Sequence, residues 1–442
     1  MVGGGAALAT SPFHSRRSFR AGRAAGDKVG RQRGNSNVDA GSLVSNGSAT
    51  AQGCIESSDG GPIRVCLVAP ALVVPGGQAI QAARLYRGLR QIPALAVGFV
   101  PTNPRLPGML QLLQRIRYVR TIVTSVRYLW SLFRCLPDYD VVHVFSASYW
   151  SFILCPTPAI LLGKWFRKKV VLNYRSGEAE DHLRRWATSA IPVIRRADAL
   201  VVSSNYLGEV FARAGLPTRT IANIVDFDQF QFRVRASLRP VFLSNRHLED
   251  LYNVACVLRA FALIQRTYPE ARLVVAGDGS KRQRLVRLAA ELGLKHYEFV
   301  GRVTPDRMPS LLDAADVYLN APNIDNMPGS ILEAFASGLP VVTTDAGGIP
   351  QIVRHGETGL IVPRGDHEEM AAAAVRLLED PSLVRRLTSA ALDECRRRYA
   401  PQAVVREWLS VYQGLVAPSR GPTAGLAVPT GAACAVSAAS PR

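Results

Sequence analysis

Residues 314–353 read AADVYLNAPNIDNMPGSILEAFASGLPVVTTDAGGIPQIV. A strand pattern, ADVYLNAP at 315–322, runs through a polar loop into Gly329–Ser330, where an apolar helical run opens; a second strand pattern, LPVVTT at 339–344, and a glycine pair follow. Strand, loop, helix, strand is the unit of a parallel α/β sheet. Asp325 and Glu333 stand at either end of the seven residues NMPGSIL. One acid lies in the loop and the other one turn into the helix. They offer hydroxyl acceptors on both sides of an anion site, because the free amides of a helix start favour phosphate. A nucleotide sugar presents both groups together.

The same beat extends in both directions. From Ile63, IRVCLVA (63–69) reads as a strand, VPGG (74–77) as a tight turn and QAIQAARLYRGLR (78–90) as a helix with its apolar face at Ile80, Ala83, Leu85 and Leu89. Further strands are expected at ALAVGFV (94–100), DVVHVF (140–145), KVVLNY (169–174) and ADALVVSS (197–204). The rhythm stops over IANIVDFDQFQFRVRASLRP (221–240), where the hinge between two domains is placed. It restarts at PVFLSNR (240–246), ARLVVAGDG (271–279) and HYEFVGR (296–302), leading into the stretch quoted first. The expected organisation is an N-terminal Rossmann-like domain over 63–235, a C-terminal one over 236–400, a helix at 401–416 and tails at 1–62 and 417–442.

Composition sets the class. The chain has 442 residues, 48% of them hydrophobic and 20% charged, the balance of a folded α/β protein rather than a disordered one. Seven scattered cysteines without a C-x-x-C spacing argue against a zinc site or a disulfide framework and fit a reducing cytoplasm. The first 62 residues are rich in Gly, Ala, Ser and Arg and lack an apolar h-region, which argues against a secretory signal and reads as an overextended start. The net charge of +19 invites an acidic partner. Residues 101–170 hold ten Lys or Arg against the two acids Asp138 and Asp140, a surplus of eight, and those cations alternate with apolar residues. That interleaving, with no recognised nucleic-acid motif, points away from nucleic acid.

The motifs LSNRHLEDLYN (243–253), LVVAGDGSKRQRL (273–285), YEFVGRV (297–303), the quoted stretch and GETGLIVPRGD (356–366) resemble, in order and spacing, the donor half of glycosyltransferase family 4, which has the GT-B fold. LVAPALVVPGGQAIQAARLYRGL (67–89), DVVHVFSASYWSF (140–152) and ADALVVSSNYLGEVFARAGL (197–216) resemble its acceptor half, so the likeness covers about residues 63–416. It implies two Rossmann-like domains facing each other across a cleft, and retaining transfer of a sugar from a nucleotide diphosphate sugar.

Roles follow by position. In the family's pair of acids the first binds the donor sugar and the second the ribose, here Asp325 and Glu333. Met327, Pro328, Gly329 and Ser330 would set sugar and phosphates over the helix amides. Arg246 matches the arginine on the donor diphosphate, where a guanidinium can stabilise the leaving group; pairing with Glu249 is the alternative. Gly76 and Gly77 match the glycine loop of the facing domain, and Arg302 and Val303 complete the donor set. The chain departs from the family at three places. Asp325 is one methylene shorter than the usual glutamate. Leu251 and Tyr252 occupy the positions of the usual lysine, with Arg302 and Lys281 as substitutes. Arg175 stands where some members carry a histidine, open to phosphate, to an acceptor charge or to a salt bridge with Glu178 or Glu180, and His182 lies near in sequence. Gly347 and Gly348 read as packing glycines. No cofactor or metal is expected.

MLQLLQRIRYVRTIVTSVRYLWSLFRC (109–135) places Arg117, Arg120, Arg127 and Arg134 in one stripe of a helix among aliphatic and aromatic residues. It suits an anionic bilayer surface, or a helix packed on the sheet with a snorkelling basic edge. The apolar run that follows DVVHVF is interrupted by His143, serines and prolines and is not read as a membrane span. PQAVVREWLSVYQGL (401–415) is expected, by the resemblance, to cross back to the first domain. Together these features point to a glycosyltransferase acting on a sugar or lipid-linked acceptor at the cytoplasmic membrane face. The alternatives are a sugar-nucleotide epimerase or hydrolase of similar fold and a non-catalytic sugar-nucleotide-binding scaffold.

Overall fold

The computed structural model describes residues 61–71, 76–104, 117–146 and 148–417, which fall in one compact unit, Asp59–Arg442. Apart from residues 61, 62 and 417, the expected tails lie outside the described residues, as do residues 109–116 at the start of the basic segment. Two six-stranded sheets form the framework. The first contains β1 (Ile63–Ala69), β2 (Leu95–Pro101), β3 (Val141–Ser146), β4 (Lys169–Tyr174), β5 (Ala199–Val202) and β6 (Arg219–Thr220) in the order β2-β1-β3-β4-β5-β6. The second contains β7 (Val241–Ser244), β8 (Arg272–Ala276), β9 (Tyr297–Gly301), β10 (Val317–Asn320), β11 (Val341–Thr344) and β12 (Leu360–Val362) in the order β12-β11-β10-β7-β8-β9. Every pairing between neighbours is parallel. Helices cover both faces, so the inner strands are largely apolar runs; all six residues of β3 are buried, His143 and Ser146 among them.

Two short strands were not foreseen in the sequence. β6 has two residues and β12 three, too few to show an alternation, and each lies at the edge of its sheet. The helix Gly77–Leu89 also differs from expectation: its buried apolar residues are Ala79, Ala82, Leu85 and Leu89, while Gln81 and Arg84 are buried as well and Ile80 and Ala83 are only partly covered. This helix is covered on two sides, by its own sheet and by the segment after β6, so polar side chains occupy the second seam. The helix Pro401–Val416 packs Val404, Trp408, Val411 and Tyr412 into the core of the first sheet beside Val65, Leu67 and Leu85. Among the described residues no helix is long and apolar enough to cross a membrane; the run after β3 folds instead into the short helices Trp150–Leu154 and Pro156–Trp165.

Between the sheets, residues 221–240 form neither helix nor strand. Ile221 and Ile224 enter the core of the first lobe and Val225 and Phe230 that of the second. The rest of the connector is fixed by charge. Arg235 donates to the carbonyls of Ser337 and Gly338 at 2.8 Å, of Ala315 at 3.0 Å and of Leu312 at 3.1 Å. Asp316, 1% exposed, pairs with Arg233 and Arg239 at 2.7 Å and with Arg235 at 3.4 Å. Burial works against the charge of Asp316, but hydrogen bonds from Arg239 and Arg233 outweigh it and hold the carboxyl below its usual range. Removing this hub leaves the buried guanidinium of Arg235 without its carboxylate, while Arg233 and Arg239 reach solvent, so Asp316→Asn is expected to cost about 3 kcal/mol in denaturant unfolding at neutral pH. Because the folded-state pKa is depressed, the contribution is whole above the ordinary aspartate value and fades below it. The gap between wild type and variant should therefore narrow as pH falls below about 4.

Candidate functional site

In an open parallel sheet, ligands bind outside the carboxyl ends of the strands where the strand order reverses. In the second sheet that point lies between β7 and β10, and in the first between β1 and β3. Arg246 follows β7 and Asp325 follows β10, while Gly76 and Gly77 follow β1 and Arg175 leaves the end of β4. A cavity of about 430 Å³ opens between the two lobes at this level, within the range of a small-molecule site. Gly76, Gly77, Arg175, Arg246, Arg302, Val303, Asp325, Met327, Pro328, Gly329, Ser330 and Glu333 all line it, so these twelve residues are brought to one place. Lys281 is not among its lining residues; its Nζ pairs with Asp250 at 2.7 Å.

Arg246 does not pair with Glu249, which instead accepts from Ser280. Its guanidinium donates to Asp325 Oδ2 through Nη2 and to Ser330 Oγ at 2.9 Å through Nη1, and lies 4.3 Å from the ring centroid of Tyr252. Burial opposes its charge, yet the Asp325 carboxylate more than offsets this and raises its pKa above the ordinary arginine value. Its Nε is buried without a partner among the described residues. Glycines let both partners sit this deep. A Cβ at Gly277, where φ is +147°, would overlap the carbonyl oxygen of Arg246, and one at Gly347, where φ is +52°, that of Asp325. Gly347 and Gly348 are thus packing residues, and what they pack against is the acid loop.

The helix Gly329–Ala336 starts after Pro328 with no side-chain cap, unlike the helices that begin after Ser204, Asp366 and Asp380. The amides of Gly329 and Ser330, which line the cavity, are therefore unclaimed by a capping side chain, while that of Ile331 donates to the Pro328 carbonyl at 3.2 Å. One turn in, Glu333 is buried, and its Oε1 accepts from Arg84 Nη2 at 2.8 Å across the cleft. Arg84 also donates to Ile224 O at 3.1 Å, beside Gln81, whose amide makes both hydrogen bonds to the Ile224 backbone.

Arg175 makes no salt bridge with Glu178 or Glu180. Its Nε donates to Asn173 Oδ1 at 3.0 Å and its Nη1 to Asn223 Oδ1, and it lies 5.3 Å from the Phe145 ring centroid. His182 lies outside the cavity lining, buried under Tyr149, Phe152, Tyr174 and Trp186, and desolvation lowers its pKa to about 4. It is a core histidine. Arg302 is exposed at the cavity margin.

Residues 226–393 match the family Glycosyl transferases group 1. Over 290 residues the chain is 32% identical to an exopolysaccharide phosphotransferase of Streptomyces coelicolor, an alignment covering 63% of this chain and 29% of that protein. Over 288 residues it is 27% identical to a phosphatidyl-myo-inositol mannosyltransferase of Mycobacterium leprae, covering 62% and 74%. The chain thus spans less than a third of the first relative and about three quarters of the second. Among solved structures, Anabaena HepE in complex with UDP and glucose superposes with a TM-score of 0.64 at 17% identity, covering 80% of this chain and all of that one. The fold is GT-B.

Arg84, Asn223, Asn326 and Gln81 belong to the site's framework and were missed in the sequence. Arg84 left one trace, a charge within the helix that follows the glycine loop; its partner lies 249 residues away, beyond any local pattern. A double-mutant cycle on Arg84→Met and Glu333→Gln should give a coupling of about 2–3 kcal/mol in denaturant unfolding. Additive single losses would mean that the pair does not hold the lobes together.

Proposed function

We propose that this chain, whose residues 226–393 belong to group 1 of the glycosyl transferases, moves a sugar from a nucleotide diphosphate sugar to an acceptor. The observation that carries the reading is the meeting of an uncapped helix start, a buried arginine and two carboxylates at the switch point of the second sheet, inside one cavity. Phosphate lies over the amides near Gly329, with Ser330 and Arg246 beside it. Met327 and Pro328 shape the approach, Val303 and Arg302 lie toward the nucleoside end, and Gly76 and Gly77 leave room from the facing lobe. Glu333 accepts from the ribose hydroxyls and Asp325 from the donor sugar.

The chemical demand is to neutralise charge that grows on the departing diphosphate. Arg246 meets it. As the donor binds, its guanidinium exchanges part of its contact with Asp325 for phosphate oxygens, freeing that carboxylate for a sugar hydroxyl. No cofactor is required by this scheme. Transfer proceeds with retention, the leaving diphosphate taking the acceptor's proton on the same face.

The acceptor is lipid-linked, or a glycan of the cell envelope, reached from an anionic membrane surface on the cytoplasmic side. This rests on the helix Arg117–Cys135, which buries Tyr128 and Leu132 against the first lobe yet leaves Ile122, Val126, Leu129, Trp130 and Phe133 exposed. Those five recur at helical spacing on one face, flanked by Arg120, Arg127 and Arg134, and the helix carries no acid. Exposed Trp150 and Trp165 add to the apolar surface of the same lobe. The mannosyltransferase relative, named for a phosphatidyl-inositol, is consistent with such an acceptor.

Nucleotide sugars are to be screened for thermal stabilisation, with diphosphate release followed in the presence of lipid extract; stabilisation by none of them would refute the donor assignment. Arg246→Ala should lower kcat by about 10²–10³-fold with a smaller change in KM, read from steady-state kinetics. A loss confined to KM would instead mark uniform binding. The double variant Trp130→Ser, Arg127→Ser should release the protein from phosphatidylglycerol-containing vesicles in co-sedimentation while leaving its melting temperature unchanged, since both side chains are exposed.

A further inference from the structure

A diphosphate at the start of the helix Gly329–Ala336 brings more negative charge than the second lobe has free cation to meet. Arg246 is already matched by Asp325. Leu251 and Tyr252 fill the positions where the resembling family carries a lysine, and Tyr252, whose ring centroid lies 4.3 Å from the Arg246 guanidinium, brings no charge. Lys281 is tied to Asp250 away from the cavity, and Arg302 is exposed at its margin. Arg84, though it lines the cavity from the other lobe, is matched by Glu333.

Arg175 differs from all of these. It leaves the end of β4, lines the cavity, and is held by neutral groups alone: Asn173 Oδ1, Asn223 Oδ1 and the Phe145 ring. Among the described residues no carboxylate pairs with it, Glu178 and Asp278 of the cavity wall included, and its Nη2 has no hydrogen-bond partner. Desolvation lowers its pKa to about 10, which leaves it charged at neutral pH. A partly buried cation fixed by dipoles, with no internal counter-ion, is suited to one that arrives with a ligand. Its position says which. Asn223, which holds Nη1, also donates Nδ2 to the carbonyl of Met327 at 2.7 Å, two residues before the helix start. One amide side chain thus separates the guanidinium from the backbone that leads to Gly329.

We propose that Arg175 supplies, from the first lobe, the second cation for the donor's diphosphate, so that the terminal phosphate is gripped only when both lobes face it. The proposal rests on the donor reading above and deepens it. The same oxyanion chemistry would suit the carboxylate of an acidic sugar, and the test separates the two sources.

Affinities of UDP, GDP and ADP, of their monophosphates and of UDP-glucose and UDP-glucuronate are to be measured by calorimetry on wild type, Arg175→Gln, Arg175→Lys and Asn223→Asp, with the melting temperature of each ligand-free protein. For the nucleotide that wild type binds, Arg175→Gln should weaken the diphosphate about tenfold and the monophosphate less than twofold. Arg175→Lys should recover part of the loss. Asn223→Asp gives the guanidinium an internal counter-ion but loses the donor to the Met327 carbonyl, so it is read as the ratio of diphosphate to monophosphate affinity, which should fall as in Arg175→Gln and keeps the test open where that variant does not fold. Equal effects on mono- and diphosphate, or diphosphate binding within twofold of wild type, would overturn the proposal alone. A loss confined to UDP-glucuronate relative to UDP-glucose, with UDP unchanged, would also overturn it by moving Arg175 to a sugar carboxylate. A wild type that binds none of the three diphosphates would overturn the donor reading and this proposal together.

Discussion

The loop Asp325–Met327 joins the two lobes through buried polar contacts that leave little freedom in how they meet. Asn326 Nδ2 donates to Ser203 Oγ at 2.7 Å and its Oδ1 accepts from Ser204 Oγ, while the Met327 carbonyl accepts from Asn223. From below, Gly347 and Gly348 sit against the carbonyls of Asp325 and Asn326. Buried hydrogen-bonding groups are expensive to leave unpaired, so this loop takes the one path that satisfies it from both sides. That path is what aims Asp325 at Arg246 and sets the uncapped helix start at the bottom of the cleft. The connector, welded to the second lobe through Arg235 and Asp316, keeps the spacing between the sheets from drifting.

Charge in the ligand-free site is settled internally wherever both partners come from the protein. Arg246 rests on Asp325 within the second lobe, and Arg84 rests on Glu333 across the cleft. Neither pair is idle scaffolding. Each contains a carboxylate suited to a hydroxyl of the ligand, and a carboxylate that accepts from one guanidinium still has lone pairs for a second donor. A donor therefore enters without first creating an unpaired buried acid, and the desolvation cost of each charge has already been met by its partner. Arg175 breaks this symmetry, as it has neutral partners only.

The sheet rhythm and the residues of the cleft were legible in the sequence because both are written locally. A fully buried parallel strand is mostly an apolar run, and a helix start with a glycine and flanking acids is a short motif; the residues of that motif, and those placed by the family resemblance, line one cavity. What escaped was whatever depends on a distant element. The helix Gly77–Leu89 hides Gln81 and Arg84 because residues 223–224 and Glu333 cover that side, and nothing within its thirteen residues names those partners. The alternative pairings suggested for Arg246 and Arg175 named nearby acids, Glu249, Glu178 and Glu180. The fold instead offered Arg246 a carboxylate from the neighbouring strand end, and gave Arg175 Asn173, two residues back on its own strand, and the distant Asn223.

The asparagines around Arg175 also connect the cleft to the C-terminal helix, and their chemistry fixes the direction of every bond. A guanidinium only donates, so Asn173 Oδ1 must accept from Arg175 Nε. The Asn173 amide nitrogen is then the donor to His143 Nε2 at 3.0 Å, which makes that ring nitrogen the acceptor and places the proton on Nδ1, facing Tyr412 Oη at 2.6 Å. Burial, with the Arg175 charge adding to it, holds the His143 pKa well below its ordinary value, so the neutral form that this pattern requires is the stable one. Tyr412, His143, Asn173, Arg175, Asn223 and the Met327 carbonyl thus form one continuous chain of hydrogen bonds, from a helix packed behind the first sheet to the helix start in the second. A second proton on His143 would set N–H against N–H at Asn173 and force that amide to turn its oxygen away from Arg175. The terminal helix is therefore part of what orients Arg175, a cation of the cleft without a carboxylate partner, because the imidazole that positions Asn173 is itself seated on Tyr412 and Trp408.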